Sequence, residues 1–106
     1  MVSKFDIWLA EVRYKDIEDS KKRPVLILDH IKKEVFCLKM TSQTPKTADD
    51  FEIIHWQEAG LRKSTVINTA IRLRLEEDKL ISYIGTLHND DQILLKIRHQ
   101  ILKKNV

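Results

Sequence analysis

"RPVLILDHIKKEVFCLKMT", residues 23–41, sets two apolar runs on either side of a short charged one, and its reading decides the fold. Val25 to Leu28 is an unbroken aliphatic run behind Pro24, which opens a strand well because its missing N–H then falls at the end of the ladder. "EVFCLKMT", residues 34–41, alternates, with Phe36, Leu38 and Met40 on one face. "DHIKKE" between them reads as a hairpin connection, although it lacks the Asn-Gly or Asp-Gly pair of the tightest turns. Antiparallel pairing of 24–30 with 34–41 brings the open ends of the hairpin together, so Arg23 and Thr41 come to the same side of the sheet.

Outward from this hairpin the chain keeps β patterning. In "KFDIWLAEVRY", residues 4–14, Phe5, Ile7 and Leu9 share one face while Trp8, Ala10 and Val12 share the other. Both faces are therefore partly covered, as in a small curled barrel. Residues 15–23 and 42–50 are polar and aperiodic and read as two long loops. "FEIIHW", residues 51–56, "STVIN" and "AIRLRL" read as further strands, with Ile71, Leu73 and Leu75 alternating against Arg72 and Arg74. "EEDKLISYI" reads as a short helix that stops at Gly85. The last element is a helix capped by Asn89, with Asp90 and Asp91 at the positive end of its dipole and Gln92 at capping-box spacing. Leu94, Ile97 and Ile101, joined by Ile93, form its apolar stripe. The expected fold class is mainly β with helical additions: a small β-barrel with a C-terminal helix.

A chain of 106 residues accommodates one domain, taken as residues 1–106. A hydrophobic fraction of 42% against 33% charged residues describes a folded, water-exposed domain rather than a disordered one. The formal charge of +3 is compatible with a polyanionic partner without requiring one. Cys37 is the single cysteine and lies in an apolar run, which excludes an intramolecular disulfide and marks a buried small hydrophobe. With no signal-peptide pattern and no apolar run long enough to span a bilayer, a cytoplasmic protein is expected.

Most catalytic constellations can be set aside. His30, His55, His88 and His99 are widely separated and lack metal-ligand spacing, so neither a metal nor another cofactor is expected. Gly60 and Gly85 do not make a phosphate loop, and no serine lies in a nucleophile elbow. The paired acids Asp49–Asp50, Glu76–Glu77 and Asp90–Asp91 are accounted for by solvation or capping. Trp8 and Trp56 read as packing residues. What remains is a guanidinium, Arg23, brought beside a hydroxyl, Thr41. Arg presents a planar, permanently charged fork of donors suited to phosphate. Lys21 and Lys22 add charge, and Gln43 adds an amide for base edges. On residue chemistry alone two readings stay open: a phosphate site, or a solvated loop that merely feeds a strand.

The ordered segments "DIWLAEV", "KKRPVLIL", "KMTSQ", "FEIIHWQEAGLRKSTVI" and "LISYIGTLHNDDQ" resemble the PemK/MazF family of toxins from bacterial type II toxin–antitoxin systems, over residues 5 to 102. The resemblance implies an SH3-like barrel with a C-terminal helix, arranged as a homodimer. It implies a metal-independent, sequence-selective endoribonuclease acting on single-stranded RNA, an mRNA interferase, with a cognate antitoxin over the cleft. The family's catalytic pair, an Arg before Pro and a Thr ending the next strand, matches Arg23 and Thr41. Ser42 and Gln43 match a polar stretch next to that Thr, expected to contact RNA, and the charge of Lys21 and Lys22 is expected to attract its phosphates. One departure stands out: the strand after "GLRKST" carries Ile67 and Thr69 where many members have an Arg-x-Asp pair. That change motivates the alternative of a weak or inactive member that binds nucleic acid or an antitoxin peptide without cutting.

Overall fold

The structure, a computed structural model, describes residues 2–13 and 21–104, with side chains described as far as residue 98. The 15–20 part of the first expected loop, and the side chains of Ile101 and His99, lie outside the described residues. Among the described residues six strands form one antiparallel sheet: β1 (Asp6–Val12), β2 (Lys21–Ile31), β3 (Glu34–Thr41), β4 (Asp50–Glu52), β5 (Val66–Glu76) and β6 (Leu80–Thr86). A 3₁₀ turn, Glu77–Lys79, joins β5 to β6, and the helix α1 (Asn89–Lys104) follows.

The β2–β3 hairpin forms as the sequence predicts, but its connection is only Lys32 and Lys33, with Lys32 at φ 56° in the left-handed region. A bulge at Leu28 shifts the register between Ile27 and Asp29. Below it, Val25 pairs with Lys39, Leu26 with Leu38 and Ile27 with Cys37. Lys21, Lys22 and Arg23, expected in a loop, instead extend β2 and pair with Val12, Glu11 and Ala10 of β1. The alternating strand β1 supplies the missing backbone partners, so three cations with poor strand propensity are drawn into the sheet.

Both faces of the sheet are covered. On one, Ile7, Leu26, Leu38, Met40, Phe51, Ile67 and Leu95 pack together. On the other, Ala10, Val12, Val25, Ile27, Val35 and Cys37 pack under Leu73, Leu75 and Leu80. Adjacent residues of β2 thus serve opposite cores, which is why its aliphatic run is unbroken. Each such fully buried aliphatic contributes about 1.5–3 kcal/mol.

The expected closed barrel does not form. The strand order is β4-β5-β3-β2-β1-β6, with β4 and β6 as its edges, and no ladder joins those two among the described residues. The physical reason lies in where the edge backbone groups go. β4 lasts three residues because the Ile53 N–H then donates to the Thr65 carbonyl at 3.0 Å. The next two N–H groups, of Ile54 and His55, donate to the Asp91 carboxylate of α1 at 3.0 and 2.8 Å. The run "FEIIHW" is therefore only half strand. Beyond it the 53–65 connection lies across β6: a Cβ on Gly85 would overlap the Ala59 carbonyl, and one on Gly60 (φ 87°) would lie 2.5 Å from the Ile84 carbonyl. Gly85 is thus a crossing point within β6, opposite Ile7, and not the end of a helix.

The helix start also differs from the sequence reading. His88 Nδ1 accepts from the Asp90 N–H at 3.1 Å, so His88 does the capping. Gln92 donates to the Leu87 carbonyl rather than completing a capping box. The helix seats itself with Asp91 and Leu95 inward, while Ile93, Leu94 and Ile97 of the expected apolar stripe are exposed. No helix among the described residues is long and apolar enough to cross a membrane.

Candidate functional site

Arg23 is half-buried on β2, opposite Ala10 of β1, and Thr41 is half-buried as the last residue of β3, opposite Val66 of β5. The β2–β3 pairs run down to Val25 and Lys39, where Pro24 offers no N–H to continue the ladder. Arg23 and Thr41 each lie two residues beyond that last pair, at the open end of the hairpin. In antiparallel pairing, directly opposed residues share a face. Arg23, Thr41 and Lys39 therefore lie on the face that also carries Val25 and Cys37.

The two side chains bring complementary chemistry. Thr41 Oγ1 accepts the Gln43 N–H at 3.3 Å, which turns the chain out of β3 and leaves the hydroxyl proton to donate. A guanidinium and a hydroxyl at one strand end supply positive charge and short donors, the combination that stabilises a phosphate whose negative charge grows during reaction. Lys21 and Lys22 are exposed on the next turn of the β2 pleat, on opposite faces, so each projects positive charge into solvent near Arg23. Ser42 and Gln43 are exposed at the start of the following loop.

That loop is held at its far end. The Asp50 carboxylate accepts the Lys46 N–H at 2.8 Å, the Thr47 N–H at 3.2 Å and the Asn68 amide at 3.2 Å. The Lys46 N–H draws the Asp50 carboxyl below the usual carboxylate range against its desolvation, with further help from Thr47, Asn68 and the charge of Arg98. Arg98 of α1 donates to the Ala48 carbonyl, so the helix braces the loop that carries Ser42 and Gln43.

Ile67 and Thr69, the residues in place of the Arg-x-Asp pair, are buried. Ile67 lies in the core between Met40 and Phe51, and the Thr69 hydroxyl donates to the Asp49 carbonyl at 2.7 Å. Neither presents a charge to a substrate. Trp8 is half-buried against the second core and makes an edge-to-face contact with Tyr83 at 5.8 Å, and Trp56 packs against the first core, as packing residues do.

Two of the cavities along the sheet lie at opposite ends of β2. One of about 470 Å³ is lined by Leu9, Pro24, Gly60, Leu61, Arg62 and Ser82 among others, at the Arg23 end of β2. The other, of about 630 Å³, is larger but lies at the hairpin-turn end among Lys33, Glu34, Glu76, Glu77 and Asp78. Its four carboxylates repel a polyphosphate, so size and electrostatics point to opposite ends of β2, and electrostatics decides against the larger cavity.

A separate cluster escapes sequence reading. His55, from the 53–65 connection, stacks on His88 with ring centroids 4.1 Å apart, and both lie beside Asp90. Thirty-odd residues separate the two histidines in the chain, so no local spacing announces the group.

A family model described as PemK-like, MazF-like toxin of type II toxin–antitoxin system matches residues 3–102. Among solved structures, a Mycobacterium tuberculosis toxin, MazF-mt6, is 21% identical with a TM-score of 0.72, covering 89% of this chain and 91% of that one. An endoribonuclease in complex with its cognate antitoxin, from a mycobacterial species, is 12% identical with a TM-score of 0.75, covering 93% and 91%. A second mycobacterial endoribonuclease is 12% identical with a TM-score of 0.70, covering 91% and 85%. No curated protein matches the sequence.

Proposed function

The chain belongs to the PemK-like, MazF-like toxin family of type II toxin–antitoxin systems, and from that premise we propose that it is a toxin acting as a metal-independent, sequence-selective endoribonuclease on single-stranded RNA. The observation that supports the proposal is the pairing of β2 with β3 down to Val25 and Lys39, two residues short of Arg23 on one strand and of Thr41 on the other. The ribose 2′-OH gives its proton to water as its oxygen attacks the adjacent phosphorus, and the bond to the 5′-oxygen of the next nucleotide breaks as that oxygen takes a proton from water, giving a 2′,3′-cyclic phosphate and a free 5′-hydroxyl. Arg23 stabilises the charge that builds on the phosphorane, and Thr41 donates a hydrogen bond to a non-bridging oxygen. Electrostatic stabilisation is the role assigned to Arg23, since a guanidinium with a pKa above ~12 is a poor proton donor. Lys21, Lys22, Ser42 and Gln43 guide and hold the strand.

The remaining partners follow the same reading: residues 1–106 act as one domain, a cognate antitoxin occupies the cleft, and two chains form a homodimer in the cytoplasm. The outward Ile93, Leu94 and Ile97 of α1 support a protein partner, because a solvated stripe of three large aliphatics is costly to leave uncovered. The burial of Ile67 and Thr69 favours a second reading, a catalytically weak member that binds RNA or antitoxin without efficient cleavage.

The deciding assay is cleavage of a mixed-sequence single-stranded RNA in EDTA by purified protein free of antitoxin. Cleavage by the wild type that falls at least ~100-fold in Arg23→Ala and about tenfold in Thr41→Val supports the nuclease. Intact RNA with the wild type, together with saturable RNA binding, moves the assignment to the second reading. Equal cleavage by Arg23→Ala removes Arg23 from the site.

A further inference from the structure

We propose that a pocket between α1 and the sheet docks an acidic segment of a protein partner, which inserts one aliphatic side chain flanked by carboxylates. The pocket encloses about 260 Å³. Its floor is Phe5, Leu28, Leu38 and Leu95, and its rim carries Lys4, Arg72 and Lys96 with one carboxylate, Asp29. Phe5, Leu38 and Leu95 belong to the first core, whereas Val25 and Cys37 belong to the second. The pocket therefore opens on the face of the sheet away from Arg23 and Thr41. No step of RNA cleavage enters it, and its tests do not use that activity.

Three irregularities of the backbone meet at this floor. Phe5 has φ 71°, in the left-handed region, and is pinned there from both sides. Its N–H donates to the Ile27 carbonyl at 2.8 Å, and its carbonyl accepts the Leu87 N–H at 2.9 Å. A bulky residue keeps that conformation only where its surroundings impose it, and such residues gather at ligand clamps. The β2–β3 ladder skips Leu28, and the β3–β5 ladder skips Lys39, next to Leu38. Bulges bend the strand that carries them and re-aim its side chains, and they are common beside binding sites.

Charge and size select the occupant. The rim cations come from three separate places: the segment before β1, β5 and α1. Lys4 Nζ and Lys96 Nζ lie 5.2 and 5.3 Å from the centroid of the Phe5 ring. Among the described residues no carboxylate pairs with either ammonium. Asp29 already turns one oxygen to the His30 N–H, at 2.9 Å. The rim thus favours carboxylates, and the four-residue floor favours an aliphatic group between them. The volume falls just short of the ~300–1,000 Å³ that encloses a drug-sized ligand, and suits a single inserted side chain. Phe5 is 8% exposed, so its ring offers no open face on which an RNA base could stack. Ile93, exposed one helical turn before Lys96, carries the apolar surface from the pocket onto α1, as a protein-sized partner requires.

The experiment titrates the full-length protein, with isotope-labelled leucine methyls, with a short amidated peptide of glutamates around one central leucine. Saturable shifts centred on Leu28, Leu38 and Leu95 are expected, with affinity that falls as salt is raised. Replacing the glutamates by glutamines, or the leucine by glycine, weakens binding by about tenfold or more. Lys4→Glu/Lys96→Glu weakens it by about the same factor, whereas Lys63→Glu, a like charge change outside the pocket, leaves it within about twofold. The methyl map of the wild-type protein stands even where a variant fails to fold. Absence of binding overturns the proposal, as do shifts that spare these three leucines or equal binding of the glutamine peptide. Single-stranded RNA that displaces the peptide and moves the same methyls would give the pocket to nucleic acid. Shifts of those methyls on dilution of the protein alone would give it to a second copy of the chain, and either result overturns the assignment to an acidic partner.

Discussion

Asp91→Ala separates two accounts of one residue by magnitude. In the sequence Asp91 is one of two acids in the first turn of a helix, and a dipole role of that kind is worth about 0.3–1 kcal/mol. In the structure its side chain is fully buried and accepts the N–H groups of Ile54 and His55 at 3.0 and 2.8 Å, more than thirty residues away. Each hydrogen bond to a charged acceptor contributes about 1.5–3 kcal/mol, and removing the acceptor also strands its donor. Ile54 is exposed, so water can re-satisfy one of the two N–H groups after the substitution, which holds the total near the low end. The expected loss is about 3 kcal/mol, or a fall in Tm of roughly 12 °C or more for a domain of this size. Asp91→Asn keeps one acceptor oxygen but turns an N–H toward the second donor, so it costs about 2 kcal/mol. Urea unfolding of the three proteins measures both values, and native-state hydrogen exchange follows the two amides directly. A loss under about 1 kcal/mol for Asp91→Ala, with the Ile54 and His55 amides still protected, would refute the anchoring role and return the residue to the dipole.

Two further outcomes test the packing on either side. Gly85→Ala drives a Cβ into the Ala59 carbonyl, a backbone atom that cannot rotate away, and is expected to cost about 1–3 kcal/mol in urea unfolding; a change under about 0.5 kcal/mol would mean that the 53–65 connection does not cross β6 there. Burial pushes the Cys37 thiol up to about 12 from its usual value near 9.0, so the folded chain keeps its proton where the unfolded chain loses it. Its contribution to stability is complete below pH ~9 and is lost as pH rises from there towards about 12, and Cys37→Ala should flatten that part of the stability profile. Rapid alkylation of the native thiol at pH 8 would contradict it.

Much of the β architecture is legible in the sequence because it is local. The aliphatic run behind Pro24 and the alternation of 34–41 specify a hairpin by period alone. The β1 alternation, the buried Cys37 and the existence of the final helix follow from the same short-range rules. Errors fall where a distant partner overrides a local preference. Lys21 to Arg23 look like loop until β1 offers them hydrogen bonds. "EEDKLISYI" looks helical until β1 pairs with it, and Gly85 looks like a helix stop until the 59–60 backbone is found lying on it.

The same division separates what the chain dictates from what only its tertiary structure decides. Composition and period determine a mainly β chain with a terminal helix, a hairpin at its centre, and an arginine and a threonine at the hairpin's open end. They cannot decide whether the sheet closes, because closure depends on where edge N–H groups find acceptors. Here Thr65 and Asp91 take those of Ile53 to His55, and β4 stops after three residues with the sheet open. Nor can they decide the helix's rotation: Asp91, a charged residue, goes inward because it has two donors to meet, and Ile93, Leu94 and Ile97 turn outward. The His55–His88–Asp90 cluster has the same origin, since side-chain chemistry is written in the sequence but the convergence of three side chains from two segments is a property of the fold.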